Sequence, residues 1–192
     1  MASKPSPEWS RFRVGKPSKR ANWTNQDCRP LETVSHVTHI DAAVHVVSRG
    51  VLQAGLVYDE SKLRKARILV NWLSPNQWIN GFRYGNVRFT FDWKALLQDM
   101  DAYWVESIPY RPRALRILLT ERDRSSKLEK YDPTDPSGPW WYDAKNDIHY
   151  WNGKFCLEIM VERDLYVRKA IEIDFVRHHP KQCCALLRFK GS

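Results

Sequence analysis

The stretch FCLEIMVERDLYVRKAIEIDFV, Phe155 to Val176, decides how the chain reads. Phe155, Leu157, Ile159 and Val161 recur at period 2, so Phe155 to Val161 is expected to be a strand with those side chains on one face. Glu158 then points to the other face, beside Cys156 and Met160. A carboxylate inside an apolar strand is costly unless a polar group meets it. Glu158 therefore lies either on a wetted sheet face or against a polar cleft. Ile171 to Val176 alternates again, with Ile171, Ile173 and Phe175 opposed to Glu172 and Asp174.

Outward from that stretch, other segments carry clear patterns. VSHVTHI, Val34 to Ile40, alternates strictly and puts His36 and Thr38 on one face. Asp41 is the expected N-cap of a helix DAAVHVVSR, and Gly50 its stop. VLQAGLV then reads as extended, and Asp59 to Arg67 as polar and basic. Ile68 to Leu73 is an expected strand closing in the turn Ser74-Pro75-Asn76. Val87, Phe89 and Phe91 alternate with Arg88, Thr90 and Asp92 as in a half-buried strand, and Asp92 caps a helix WKALLQDM. Ala114 to Thr120 is another strand. Residues 124–153 hold Pro133, Pro136 and Pro139 among Trp140, Trp141, Tyr142, Tyr150 and Trp151. This segment is expected to be a long substrate-facing loop, the alternative being an insertion packed by its own aromatics.

The 192 residues fit one domain with a tail. Residues 1–30 carry seven Lys/Arg against Glu8 and Asp27, with four prolines, and read as a basic arm. Residues 31–192 form the domain. The net charge is +9, and after Glu162 seven Lys/Arg face three acids, a balance that favours a polyanionic partner. Nine tryptophans among arginines suit base stacking, though most are expected in the core. No apolar run reaches 18 residues and no secretory h-region opens the chain. Cys28, Cys156, Cys183 and Cys184 include no Cys-x-x-Cys pair and read as reduced thiols of a cytoplasmic protein. His178, His179, Cys183 and Cys184 make a weak zinc pattern without a second pair, so no metal is expected.

Four motifs in order carry a resemblance: SHVTHID, VNWLSPN, LLTERD, and EIMVERDLYVRKAIEIDF. Together they resemble the ADP-ribosyltransferase superfamily, and most nearly the DarT-type toxins that ADP-ribosylate DNA bases. The resemblance covers about Val34 to Val176. It implies an α+β fold in which a split β-sheet, two packed and mostly antiparallel sheets with a few short helices, clamps NAD as co-substrate. It implies that Glu158 is the catalytic glutamate, acting on the nucleophile or the nicotinamide ribose, with Glu162 as rival, and that Arg64 or Arg67 supplies a catalytic arginine. His36 and Thr38 would contact the NAD ribose, and Ser74 and Asn76 the nicotinamide side. Trp140, Trp141, Arg122 and Asp123 would face the substrate; Asp123 stands where such toxins can carry histidine.

The implied activity is transfer of ADP-ribose to a macromolecule, nucleic acid first, by a toxin or defence factor held by an inhibitory partner. A carboxylate suits this chemistry because loss of nicotinamide builds oxocarbenium character on the ribose. Protein-directed transfer and NAD-dependent removal of an RNA 2′-phosphate are alternatives on the same fold. A non-catalytic nucleic-acid-binding module, working through the arm and the Trp-rich segment, is the alternative of another class.

Overall fold

The computed structural model describes residues 28–57, 61–77, 84–108, 113–136 and 138–177. It shows a mixed α+β fold with antiparallel and parallel strand pairs and a few short helices. The expected arm falls outside these residues up to Asp27. Its last three, Cys28–Pro30, are not arm but a strand, β1.

Three groups of strands position the site. The first is β2 (Thr33–Thr38), β6 (Val87–Asp92) and β14 (Ala170–Phe175), in the order β14-β6-β2, all antiparallel. The second holds β4 (Gly55–Leu56), β5 (Leu69–Leu73), β12 (Cys156–Val161), β8 (Ala114–Thr120), β7 (Asp101–Ile108) and β9 (Glu129–Lys130), in that order. Within it β12 and β8 run parallel. The third joins β1 to β11 (Ile148–Asn152) and β10 (Trp140–Asp143). A two-stranded pair of β3 (Val51–Leu52) and β13 (Leu165–Tyr166) completes the strands.

Alternation decides which side of each strand is dry. Leu157, Ile159 and Val161 are fully buried, with Ile117, Leu119, Leu73, Val34, Phe89 and Phe91 in one core. Met160 and Leu118, one residue out of phase, join Val70, Tyr103 and Leu63 in a second core on the opposite face. Leu63 comes from α2 (Lys62–Lys65). The sequence parity of Phe155 to Val161 is thus what the strand adopts, from Cys156 onward.

The helices are short. α1 (Ile40–Arg49) starts one residue before Asp41, which lies in its first turn; His39 is the cap residue and makes no side-chain cap bond. The expected N-cap is therefore displaced. Gly50 ends α1 at φ 69°, its N–H bonded to the carbonyls of Val46 and Val47. α3 (Trp93–Leu97) is capped as expected, Asp92 accepting the Ala95 N–H.

The segment 124–153 is not a long irregular loop: it contains β9, β10 and β11. Trp140 and Trp141 are 0% and 1% exposed, so they are core residues, not substrate-facing ones. Trp140 packs edge-on to Trp93 and stacks on Tyr131, while Trp141 stacks on Tyr150. Burial of that much aromatic surface is what turns a Pro-rich segment into a hairpin docked on the first core. No helix among the described residues is long and apolar enough to cross a membrane.

Candidate functional site

The first and second of these sheets touch edge to edge at one bridge among the described residues. Ser35 of β2 and Ser74, just past β5, form an isolated antiparallel bridge, each N–H donating to the other's carbonyl at 2.9 and 3.0 Å. A regular ladder would next set Val37 opposite Trp72. Instead the His36 side chain reaches over, and its Nδ1 lies 2.9 Å from the Trp72 carbonyl oxygen. A carbonyl only accepts, so Nδ1 carries the proton. Burial lowers the pKa of His36, which keeps the ring neutral. Its Nε2 is then a lone-pair acceptor with no partner among the described residues.

One polar row runs across this junction. Glu172 pairs with Thr90, Thr90 with Ser35, and Ser35 with Ser74. The β5–β12 register, extended one residue, sets Ser74 beside Glu158. Glu158 pairs with Arg116 on β8, and Arg116 with Glu106 on β7. Paired residues share a sheet face, and hydrogen bonds follow the row: Ser35 Oγ to Thr90 Oγ1 at 3.1 Å, Arg116 Nε to Glu158 Oε2 at 2.6 Å, Arg116 Nη1 to Glu106 Oε1 at 2.9 Å. Trp72 lies against the Arg116 guanidinium, 4.6 Å from ring centre to Cζ. Glu158 is thus a paired acid with a side chain 15% exposed. Arg116 takes its Oε2; its Oε1 has no partner among the described residues.

Glu162 is held differently. Arg124 grips both its oxygens, and Thr120 Oγ1 donates to Oε2 at 2.8 Å. Its side chain is 7% exposed. With both oxygens bonded it fastens the turn after β12 to the end of β8.

His36 and Glu158 do not share a face. His36 pairs with Phe89 on the core side of β2, while Glu158 follows the row of Ser35. They are joined through Trp72, whose carbonyl holds the imidazole and whose indole lies under the guanidinium that holds the acid. Thr38, half-buried at the end of β2, accepts the Asn86 N–H at its carbonyl. Ser74 and Asn76 make an ordered turn: Ser74 Oγ donates to Asn76 Oδ1, which also accepts the Leu157 N–H, while Asn76 Nδ2 donates to the Phe155 carbonyl. The Asn76 amide thereby continues the ladder beside β12 where the β5 backbone has turned away.

The remaining expected residues lie apart from this row. Arg64 is exposed on α2, its N–H on Ser61 Oγ, and Arg67 follows at φ 54°. The guanidinium in contact with Glu158 is that of Arg116. Arg122 is 74% exposed and 3.7 Å from Glu162 Oε1. Asp123 accepts from Ser125 N–H and the Tyr103 hydroxyl, bonds that lower its pKa. Sequence reasoning missed Arg116 and Glu106. The signal for Arg116 was present, a guanidinium in the middle of the apolar strand ALRILLT.

Cavities lie away from this row. One of about 470 Å³ is lined by Lys94, Leu97 and His149, and one of about 300 Å³ lies beneath α2. Cys28 and Cys156 form no disulfide. Among the described residues no group of three or more His, Cys, Asp or Glu is arranged for a metal; His178, His179, Cys183 and Cys184 lie outside them. No protein-family model matches this chain, and no match is found among curated proteins or solved structures.

Proposed function

We propose that the protein is an NAD-dependent ADP-ribosyltransferase acting on a macromolecule, nucleic acid first, with Glu158 as its catalytic glutamate. The observation that carries this reading is the contrast between two nearby glutamates. Glu162 has both oxygens bonded, whereas Glu158 is held by one oxygen and offers the other. The junction beside it supports the reading further: two sheets meet there at one bridge among the described residues and then part.

The reaction is a displacement at the ribose carbon that bears nicotinamide. The carbon–nitrogen bond breaks and nicotinamide leaves with the electron pair. A base nitrogen or hydroxyl forms the new bond, and its proton passes to Glu158 Oε1. Before that transfer the carboxylate stabilises positive charge on the ribose. The acceptor class rests on charge: +9 overall, with lysine and arginine gathered towards both ends. An inhibitory partner would be needed by a host cell if the acceptor is its own nucleic acid.

The test is incubation with adenylate-labelled NAD and, separately, DNA, RNA and cell protein. The parent should release nicotinamide and label nucleic acid. Glu158→Gln should lower that rate by about 10³-fold, the usual scale for losing such a group. Parent protein that never releases nicotinamide would defeat the proposal.

A further inference from the structure

The sheet of β14, β6 and β2 has two outer edges. One meets the second sheet through the bridge of Ser35 and Ser74. The other is β14, which has no strand on its outer side among the described residues. One bond fixes the phase of its backbone. The Val176 N–H donates to the Asn86 carbonyl at 2.9 Å, continuing the pairs Phe175 with Val87 and Asp174 with Arg88. In an antiparallel ladder alternate residues bond to the same neighbour. Asp174 and Val176 therefore face β6, and Ile173 and Phe175 turn their N–H and C=O groups outward. Exposed edges are usually blunted by lysine or proline. The strand AIEIDF carries neither, and its Ile171, Ile173 and Phe175 are exposed.

Charge narrows what can sit on this edge. Exposed Arg168 and Lys169 precede the strand, exposed Glu172 stands within it and exposed Arg177 follows. Asp174 is already held at both oxygens by Arg88, at 2.9 and 2.7 Å. The remaining pattern is plus, minus, plus, and it repels its own copy. The antiparallel register that sets all three apolar residues on apolar residues places Ile173 opposite Ile173. Lys169 then meets the other copy's Arg177, and Glu172 meets its Asp174. We propose that the outer edge of β14 receives an extended segment of another protein as an added antiparallel strand, with apolar residues on one parity, one lysine or arginine opposite Glu172 and an acid at each end. Backbone bonds to Ile173 and Phe175 hold the segment, and its side chains set the register. The polar row puts four strand spacings, about 19 Å, between this edge and Glu158. The proposal is independent of the transferase reading, and binding is measured without NAD.

The probe is the fluorescein-labelled peptide Glu-Thr-Val-Thr-Val-Lys-Val-Thr-Glu, compared with the same peptide carrying glutamate in place of its lysine. Each is titrated with the full chain by fluorescence anisotropy. The lysine peptide should bind about tenfold more tightly, the scale of replacing a like-charge cross-strand pair by an opposite one, although the net charge of the protein favours the other. Ile173→Lys, at an exposed position, should weaken it about tenfold by placing a charge on the edge. Glu172→Lys should reverse the preference between the peptides. Amide exchange followed residue by residue should slow at Ile173 and Phe175 on binding and stay unchanged at Asp174. A lysine peptide that does not bind at millimolar concentration overturns the proposal. So does equal binding of the two peptides, binding untouched by Ile173→Lys, or a preference that Glu172→Lys leaves in place. Exchange already slow at Ile173 and Phe175 in the free chain would mean that the chain's own residues cover the edge. Slowing that appears only as the protein is concentrated would mean a second copy. Either result also overturns it.

Discussion

His36 is the residue whose state is most constrained by its surroundings. Its Nδ1 proton is committed to the Trp72 carbonyl, and burial opposes a second proton on Nε2. His149 is also held neutral, by burial and by Lys94, and its Nδ1 lies 3.1 Å from the Trp140 indole N–H. Both folded-state values lie below the ordinary 6.5. The unfolded chain then binds more protons than the folded one as pH falls below that value, so stability is full above it and declines towards acid. Urea midpoints measured from pH 7.5 to 5 should fall, and His36→Gln with His149→Gln should flatten the decline; an unchanged slope in the double variant would refute the assignment. The two glutamates should separate just as clearly. Glu162→Gln leaves Arg124 part-buried without its partner, which costs about 3 kcal/mol, yet the folded variant should release nicotinamide at the parent's rate. Glu158→Gln should lose the rate, and since it too weakens a buried ion pair, with Arg116 5% exposed, it is the rate and not the stability that separates the two. Chemical denaturation paired with a nicotinamide assay distinguishes the two.

Strands and turns set where these side chains stand, and one glycine is decisive. Gly85, at φ 147°, enters β6 so close to β2 that an added Cβ would lie 2.1 Å from the Thr38 carbonyl. Gly85→Ala should shift the β2–β6 pairing that aligns His36 with Phe89, lowering the melting temperature far more than Asp92→Ala. The latter removes only the α3 cap, worth about 1 kcal/mol. Comparing the two melting curves tests this ranking. At this scale much was legible. The alternation of VSHVTHI as far as Thr38, of VRFTFD and of CLEIMV matched β2, β6 and β12, and the apolar run ALRILLT matched β8, because one or both faces of these strands are buried. The Gly50 stop and the Asp92 cap were legible because they are local. The hairpin of β10 and β11 was not: Pro and Gly signalled a loop, and the aromatic packing that overrides them comes from Trp93 and Tyr131. Nor was the β7 bulge between Trp104 and Glu106, since nothing in AYWVESI marks which residue is left over.

Across the whole molecule, the polar row from Glu172 to Glu106 joins residues 35, 74, 90, 106, 116, 158 and 172. No local pattern could have assembled it. Register between distant strands is fixed by which faces the two cores bury, and that becomes visible only with all strands in place. The same holds for β14, whose alternation was legible but whose outcome was not: Ile171, Ile173 and Phe175 are 61%, 45% and 73% exposed, although they continue the face of Phe89 and Val87. The described surface around the row carries Glu106, Glu158, Glu172 and Asp174 alongside Arg88 and Arg116, so it holds no excess of positive charge with which to attract nucleic acid. The attraction proposed for the acceptor must therefore come from elsewhere in the chain. Lys4, Arg11, Arg13, Lys16, Lys19 and Arg20 precede β1 and are one such reserve. Each cation that neutralises a phosphate of a single strand contributes roughly 0.7 to the slope of log affinity against log salt. Replacing all six with glutamine in the full chain should flatten that slope by up to about 4 for single-stranded DNA. Nicotinamide release without an acceptor should not change, because the six are assigned to the acceptor alone. Binding titrations at several salt concentrations measure the slope. An unaltered slope would mean that the DNA follows a different path over the protein, and basic residues after Glu162 would be the next to neutralise.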